Sequence, residues 1–222
     1  MAKPRRKAGW GRLAMLKLLG RSNAYNVRKV LWLLGELGLG FEQEEWGRGH
    51  RATEDPAFLV LNPLGTVPVL VDGEVVLRES HVILRYLAAR EGATHLLPEA
   101  PAARARVEHW MDWVAYDMTL AMKGAYLGGE LGLAPWSAPW AVERGRMEYA
   151  QGMRRVAAAL EAGGPYLVGE AFTLADIPAG FLVHRWFAMK DIERPAMPAL
   201  DAYYGRLSER APYRTHVRNG LA

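Results

Sequence analysis

The sequence predicts two units in series: an α/β domain at residues 15–92, built β-α-β-α-β-β-α on a mixed four-stranded sheet, then an all-helical bundle at 93–222. A basic tail at 1–14 precedes them. Three observations carry this. The short apolar run Leu16, Leu18, Leu19 is followed by Val27, Val30, Leu31, Leu34 and Leu37 at helical spacing, the opening of a β-α unit. Asp72-Gly73 separates two apolar runs, which signals a hairpin. Beyond Ala93 the strand signals stop, and the Gly- and Pro-punctuated stretch 91–101 marks the change of class.

Taken in order, the first strand ends at Gly20 and the helix over 25–38 stops at Gly38 and Gly40. Phe41 to Trp46 is a weaker strand, and a short helix follows over Pro56 to Leu61. Strands at Val67 to Val71 and Glu74 to Leu77 flank the hairpin turn, and a helix starts at Ser80 with Val82, Ile83, Tyr86 and Leu87 on one face. The helical domain opens with a long helix after Pro101. Further helices are expected over 139–163, through FTLADIPAGFLVHRWFAM, and near Ala199 to Arg210.

Composition narrows the function. Half of the 222 residues are hydrophobic and 23% are charged, an ordinary globular balance. The basic excess sits in the tail: residues 1–12 hold Lys3, Arg5, Arg6, Lys7 and Arg12 and no acid, and 23 basic against 24 acidic residues remain after them. A specific nucleic-acid interface is therefore not expected, and the tail reads as solvated chain. No run of about 18 apolar residues suggests a membrane span, and no signal-peptide core is visible, so a cytoplasmic protein is expected. Cysteine is absent, which excludes disulfides, thiolate metal sites and a protein-thiol nucleophile. The six histidines have no metal-ligand spacing, so no metal is expected.

Several residues can carry chemistry. Ser22, Asn23 and Asn26 stand where the first helix begins; they can shape the turn and cap the helix, or bind an anion there. Pro68 lies in an apolar run, so it marks a sheet edge or a cis Val67-Pro68 bond that turns the Val67 N–H and C=O outward. Glu79 and Ser80 begin a helix, where a hydroxyl caps and the free N–H groups attract a carboxylate. Thr173 and Asp176 form a capping box, with Phe172 and Ile177 as its hydrophobic staple; a helix start explains them without catalysis. Trp110, Trp113 and Tyr116 recur every three residues and read as core, with Trp113 and Tyr116 also candidate contacts for an apolar substrate in an interdomain cleft.

NPLGTVPVL, then LRES opening a helix that contains RYL, resembles the cytosolic glutathione transferases. GRSNAYNVRKVLWLLGELGL is similar to that family's first loop and helix, and YLVGEAFTLADI to the start of its late helix. The resemblance runs from Met15 onward and implies a thioredoxin-like first domain with a cis-proline, a helical second domain, and glutathione as co-substrate. It implies that Val67 pairs its backbone with the cysteinyl part of glutathione beside cis Pro68, and that Glu79 and Ser80 hold the γ-glutamyl end. It also implies that Arg51 or His50 meets the glycine carboxylate. The thiolate-binding serine of serine-type relatives, counted from Arg28, falls on Ala24. Ser22 through a shifted loop, or the amide of Asn23 or Asn26, is left to bind the sulfur, and the cysteine-type relatives are excluded. The activity implied is a detoxifying transferase (EC 2.5.1.18-like) acting on a hydrophobic electrophile, in a homodimer. A non-catalytic glutathione-binding or regulatory protein, and a glutathione-dependent isomerase or disulfide reductase, are the alternatives.

Overall fold

The computed structural model describes residues 15–190 and 192–220, so the basic tail expected at 1–14 lies outside the described residues. Strand β1 (Leu16–Leu19) leads to helix α1 (Tyr25–Leu37), strand β2 (Phe41–Glu44) and helix α2 (Pro56–Leu61). The hairpin β3 (Val69–Asp72) and β4 (Val75–Arg78) and helix α3 (Ser80–Arg90) complete the first domain. This is the expected βαβαββα order. The sheet runs β2-β1-β3-β4; β1 is parallel to β2 and antiparallel to β3, and β3 is antiparallel to β4. The fold is the thioredoxin-like, mixed four-stranded sheet that the resemblance implied.

Local chemistry explains the elements. On α1 the apolar positions Val27, Val30, Leu31 and Leu34 are fully or almost fully buried, and Gly38 at φ 64° ends the helix in the left-handed conformation with its N–H on Gly35 O. In the hairpin, Asp72 pairs with Val75, so the two loop residues are Gly73 and Glu74 rather than Asp72 and Gly73. The third strand starts at Val69, two residues later than expected, because Val67-Pro68 is a cis peptide lying before the ladder. Pro68 is therefore not an edge-strand proline: β3 is a central strand.

The second domain is helical. Helix α4 (Pro101–Trp113) continues through a π-helical segment (Val114–Met118), the short α5 (Thr119–Met122) and a second π-helical segment (Lys123–Glu130). Then come α6 (Pro139–Gly163), α7 (Asp176–Ala188), α8 (Pro198–Glu209) and α9 (Ala211–His216). The π-helical stretches and α9 were not expected. Glycines let α6 approach the second π-helical segment closely: a Cβ on Gly145 would lie 2.5 Å from Ala125 N, and one on Gly124 2.4 Å from Ala141 O. One continuous core joins the two domains through α1. Trp32 contacts Phe172, Phe181 and Tyr213, and Glu36 accepts from Arg210 Nε at 2.8 Å and Nη2 at 2.7 Å. Arg28, buried, donates to the carbonyls of His216 (2.7 Å), Gly220 (2.9 Å) and Val217 (3.3 Å), tying the chain's last turns to α1.

Candidate active site

Strand directions bring the candidate residues together. The end of β1 at Gly20 lies beside the end of β2, with Gly20 N donating to Glu44 O at 2.9 Å and Arg21 N to Trp46 O at 2.8 Å. Because β3 is antiparallel to β1, it starts at that same end, Leu19 facing Val69; β4, antiparallel again, finishes there with Arg78 opposite Val69. The β1–α1 turn, Val67-Pro68 and the start of α3 therefore open side by side at one end of the sheet, with the loop after β2 on the flank.

Packing fixes these segments. Gly20, at φ 141°, sits where a Cβ would be 2.5 Å from Val27 Cγ2 and 3.0 Å from Val67 Cβ, so the two turns touch through a glycine. The buried Asn62 braces the approach to Val67: its Nδ2 donates to Thr66 O at 2.7 Å and its Oδ1 accepts from Leu64 N at 3.2 Å. Among the described residues no backbone partner takes the Val67 N–H or C=O. These groups are free for an extended peptide. Glu79 is the one non-glycine with positive φ among the described residues, at 64°. That conformation costs of order 1–3 kcal/mol and persists only where the surroundings impose it. Ser80 is buried at the first position of α3.

Helix α1 begins at Tyr25 after Ala24, which is buried, and no side chain caps it; its first turn holds no acid. Ser22, Asn23 and Asn26 do not cap the helix. Instead Ser22 N is held by the Glu45 carboxylate at 2.9 and 3.2 Å, and Asn23 Oδ1 accepts from Arg21 Nη1 at 2.7 Å. Asn26, exposed on the first turn, accepts through Oδ1 from Lys29 Nζ at 3.1 Å. The orphan N–H groups of the helix start are left to an anion, with the positive end of the macrodipole behind them.

Beneath that turn lies a cluster the sequence did not reveal. Lys29, only 3% exposed, also contacts His81 Nε2 at 3.2 Å and the Tyr25 ring at 4.3 Å. Arg185 of α7 lies between the Tyr25 ring (4.3 Å) and the Tyr126 ring (4.2 Å), linking the site to the second π-helical segment. Burial, then the Arg185 charge, push the Lys29 ammonium down to about 7, opposed by Glu79. Burial, then Lys29, hold His81 down at about 2, so its imidazole is neutral. Burial raises the Tyr25 phenol to about 12, which keeps it a neutral hydroxyl.

Other expected residues stand apart. Arg51 lies on the flank beyond β2, its guanidinium 3.7 Å over the Trp46 ring and 3.7 Å from Glu44 Oε2; His50 Nε2 is 3.7 Å from Glu45 Oε2. Trp113 and Tyr116 do not line an interdomain cleft. Trp113 is buried edge-on to Trp110, Tyr116 is exposed, and both border a cavity of about 380 Å³ walled only by helical-domain residues, including Leu120, Arg144 and Arg155. Tyr116 lies within the π-helical segment, whose wider winding sequence periodicity cannot anticipate. Asp176 is structural, as expected: its carboxylate accepts from Thr173 N (2.8 Å) and Oγ1 (3.2 Å), Leu167 N (3.1 Å) and the Tyr203 hydroxyl (2.9 Å). Among the described residues no cluster of metal-ligating side chains occurs.

Comparison with known proteins agrees with this geometry. Residues 22–95 match the family model for the glutathione S-transferase N-terminal domain, and 141–211 that for its C-terminal domain. Glutathione S-transferase GstB of Escherichia coli strain K12 is 45% identical over 116 residues, 51% of this chain, a match spanning only 56% of that protein's length. Glutathione S-transferase 3 of Zea mays is 37% identical over 170 residues, covering 74% of this chain and 75% of the maize protein. Among solved structures, a theta class glutathione S-transferase from Xanthomonas axonopodis pv. citri with glutathione bound superposes with a TM-score of 0.84 at 37% identity, covering 93% of this chain and 99% of that one.

Proposed function

The chain belongs to the glutathione S-transferase family, and from that premise we propose that it binds glutathione along the open end of its sheet and directs the ionised sulfur at a hydrophobic electrophile. The observation that carries this reading is the meeting of three segments there: the unpaired Val67 backbone beside cis Pro68, the Glu79-Ser80 helix start, and the uncapped α1. Val67 offers one N–H and one C=O to the cysteinyl unit, as an added strand does. The Ser80 hydroxyl and the N–H groups of α3 receive the γ-glutamyl carboxylate, and Glu79 its ammonium. Arg51 is assigned to the glycine carboxylate, with Arg21 of the adjoining β1–α1 turn as a second cation.

Ionising the sulfur is the chemical task. A cysteine thiol has a pKa near 8.5, and lowering it by about two units stabilises the anion by about 2.7 kcal/mol. A partly buried helix N-terminus contributes up to about 2 kcal/mol, and a hydrogen bond to the charged sulfur about 1.5–3 kcal/mol. One amide donor plus the dipole of α1 is sufficient without a general base. We assign that donor to Asn26, with Ser22 and Asn23 on the turn beside it, because Asn26 is exposed on the first turn of α1. In the transfer, a sulfur–carbon bond forms as the bond from carbon to its leaving group breaks, and the thiol proton passes to solvent. The protein acts as a cytoplasmic homodimer in detoxification. No helix among the described residues is long and apolar enough to cross a membrane.

Ala24 favours a second reading, a glutathione-binding protein that leaves the thiol unactivated, since the helix cap there carries no donor. Ultraviolet difference titration of bound glutathione separates the two. A thiol pKa about two units below that of the free tripeptide is the transferase result; an unchanged pKa with tight binding overturns it. Assays with an aromatic halide, a peroxide and a disulfide then distinguish a conjugating enzyme from an isomerase or disulfide reductase.

A further inference from the structure

A buried ammonium with no carboxylate at hydrogen-bond distance among the described residues is an expensive choice. Lys29 is 3% exposed, and its Nζ meets Asn26 Oδ1 (3.1 Å), His81 Nε2 (3.2 Å) and the face of Tyr25 (4.3 Å). A methionine would fill the same space without desolvating a charge. We propose that Lys29 is a positioning residue: it grips the Asn26 carboxamide by its oxygen and so aims the Asn26 NH₂ group at the sulfur site. This rests on the transferase reading and deepens it.

The assignment follows from donor counting. An ammonium only donates, so the Asn26 atom that faces it is the oxygen, and the planar amide then carries its NH₂ away from Lys29 toward the exposed side of the first α1 turn. His81 fixes Lys29 in turn. Against the ammonium its Nε2 accepts, which leaves the proton on Nδ1, and the ring's neutrality agrees with its depressed pKa. Lys29 is thus held from α1 by Tyr25 and Asn26 and from α3 by His81; the charges that act on it are Arg185 of α7, which opposes the ammonium, and Glu79, which favours it. Either protonation state keeps an N–H for Asn26, so the grip survives across neutral pH. Without it, the exposed amide is free to rotate, and its donor meets the sulfur only part of the time.

The test is a double-mutant cycle read by the bound thiol. Glutathione affinity by calorimetry, thiol pKa by ultraviolet difference titration and kcat are measured for wild type, Lys29→Met, Asn26→Ala and the double variant. Lys29→Met is expected to raise the bound thiol pKa by about one unit, from about 6.5, and so to lower kcat about threefold at pH 7, with affinity at pH 5, where the thiol is protonated, changed less than twofold and no further effect once Asn26 is alanine. If Lys29 acts instead through its own field, the loss persists in the Asn26→Ala background, and the proposal is overturned. Lys29→Gln keeps a neutral donor on a side chain one bond shorter and carries the test even if Lys29→Met does not fold: a bound thiol pKa within about 0.3 unit of wild type supports gripping, and a one-unit rise that persists in the Asn26→Ala background refutes it. A wild type that binds glutathione without lowering its thiol pKa brings down the transferase reading as well; a lowered wild-type pKa that Lys29→Met leaves unchanged brings down only this one.

Discussion

Replacing Asp176 probes how a two-domain chain of this kind is held together. Its carboxylate is fully buried, with Thr173 N and Oγ1 on one oxygen and Leu167 N and the Tyr203 hydroxyl on the other. In Asp176→Asn one oxygen becomes an NH₂ group. The hydroxyls of Thr173 and Tyr203 can turn to accept from it, but a backbone N–H cannot, so either Thr173 N–H or Leu167 N–H loses its acceptor. The lesser loss is the longer bond, 3.1 Å from Leu167, and one orphaned buried N–H costs about 1–3 kcal/mol. Asp176→Ala orphans both backbone donors and both hydroxyls and is expected to cost about 3–5 kcal/mol. For a chain of this size that is a fall in Tm of roughly 6–20 °C.

The pH dependence has a definite sign. Burial raises the Asp176 carboxyl from 3.8 to about 6, the four donors only partly opposing it. A raised folded-state pKa means that the group's contribution is fully present below 3.8 and is lost as pH rises through about 6. Over that window the wild type should lose up to about 3 kcal/mol relative to Asp176→Asn, which does not titrate there. Urea unfolding of both proteins between pH 4 and 7 measures the difference. A difference that stays flat or grows with pH would show that the four donors outweigh desolvation, and the argument from burial would be wrong.

Further outcomes are expected elsewhere. Asn26→Ala should reduce kcat more than glutathione affinity, because a donor to the sulfur matters most once it is charged; Ser80→Ala should do the reverse. Steady-state kinetics with calorimetry would decide, and equal losses confined to binding would remove Asn26 from the sulfur. Gly20→Ala brings a Cβ to 2.5 Å from Val27 Cγ2 and 3.0 Å from Val67 Cβ at φ 141°. It should cost about 1–3 kcal/mol and weaken glutathione binding, and unaltered affinity would show that the two turns move independently. Arg28→Met removes three hydrogen bonds to the carbonyls of His216, Val217 and Gly220; faster amide exchange confined to α9 and the turn after it is the expected signature.

The sequence alone determined the βαβαββα order of the first domain, the cis Val67-Pro68 bond through its resemblance, and the structural role of Asp176. Each depends on short-range chemistry: apolar spacing, a Gly or Pro at a turn, a capping pair within three residues. It also placed Val67 at a turn and Glu79 and Ser80 at a helix start, because both have local signatures. Tertiary structure decided the other face of α1. Arg28, Lys29 and Trp32 lie off the apolar stripe of Val27, Val30, Leu31 and Leu34, yet all three are buried, Arg28 and Trp32 under the helical domain and Lys29 against His81 of α3. The Lys29, His81 and Arg185 cluster beneath Asn26 therefore could not be read from periodicity, which reports that a helix has one apolar side and says nothing of what covers the other. Likewise, the direction of Tyr116 depends on where the long helix turns π-helical, which the residues' own three-residue spacing does not report.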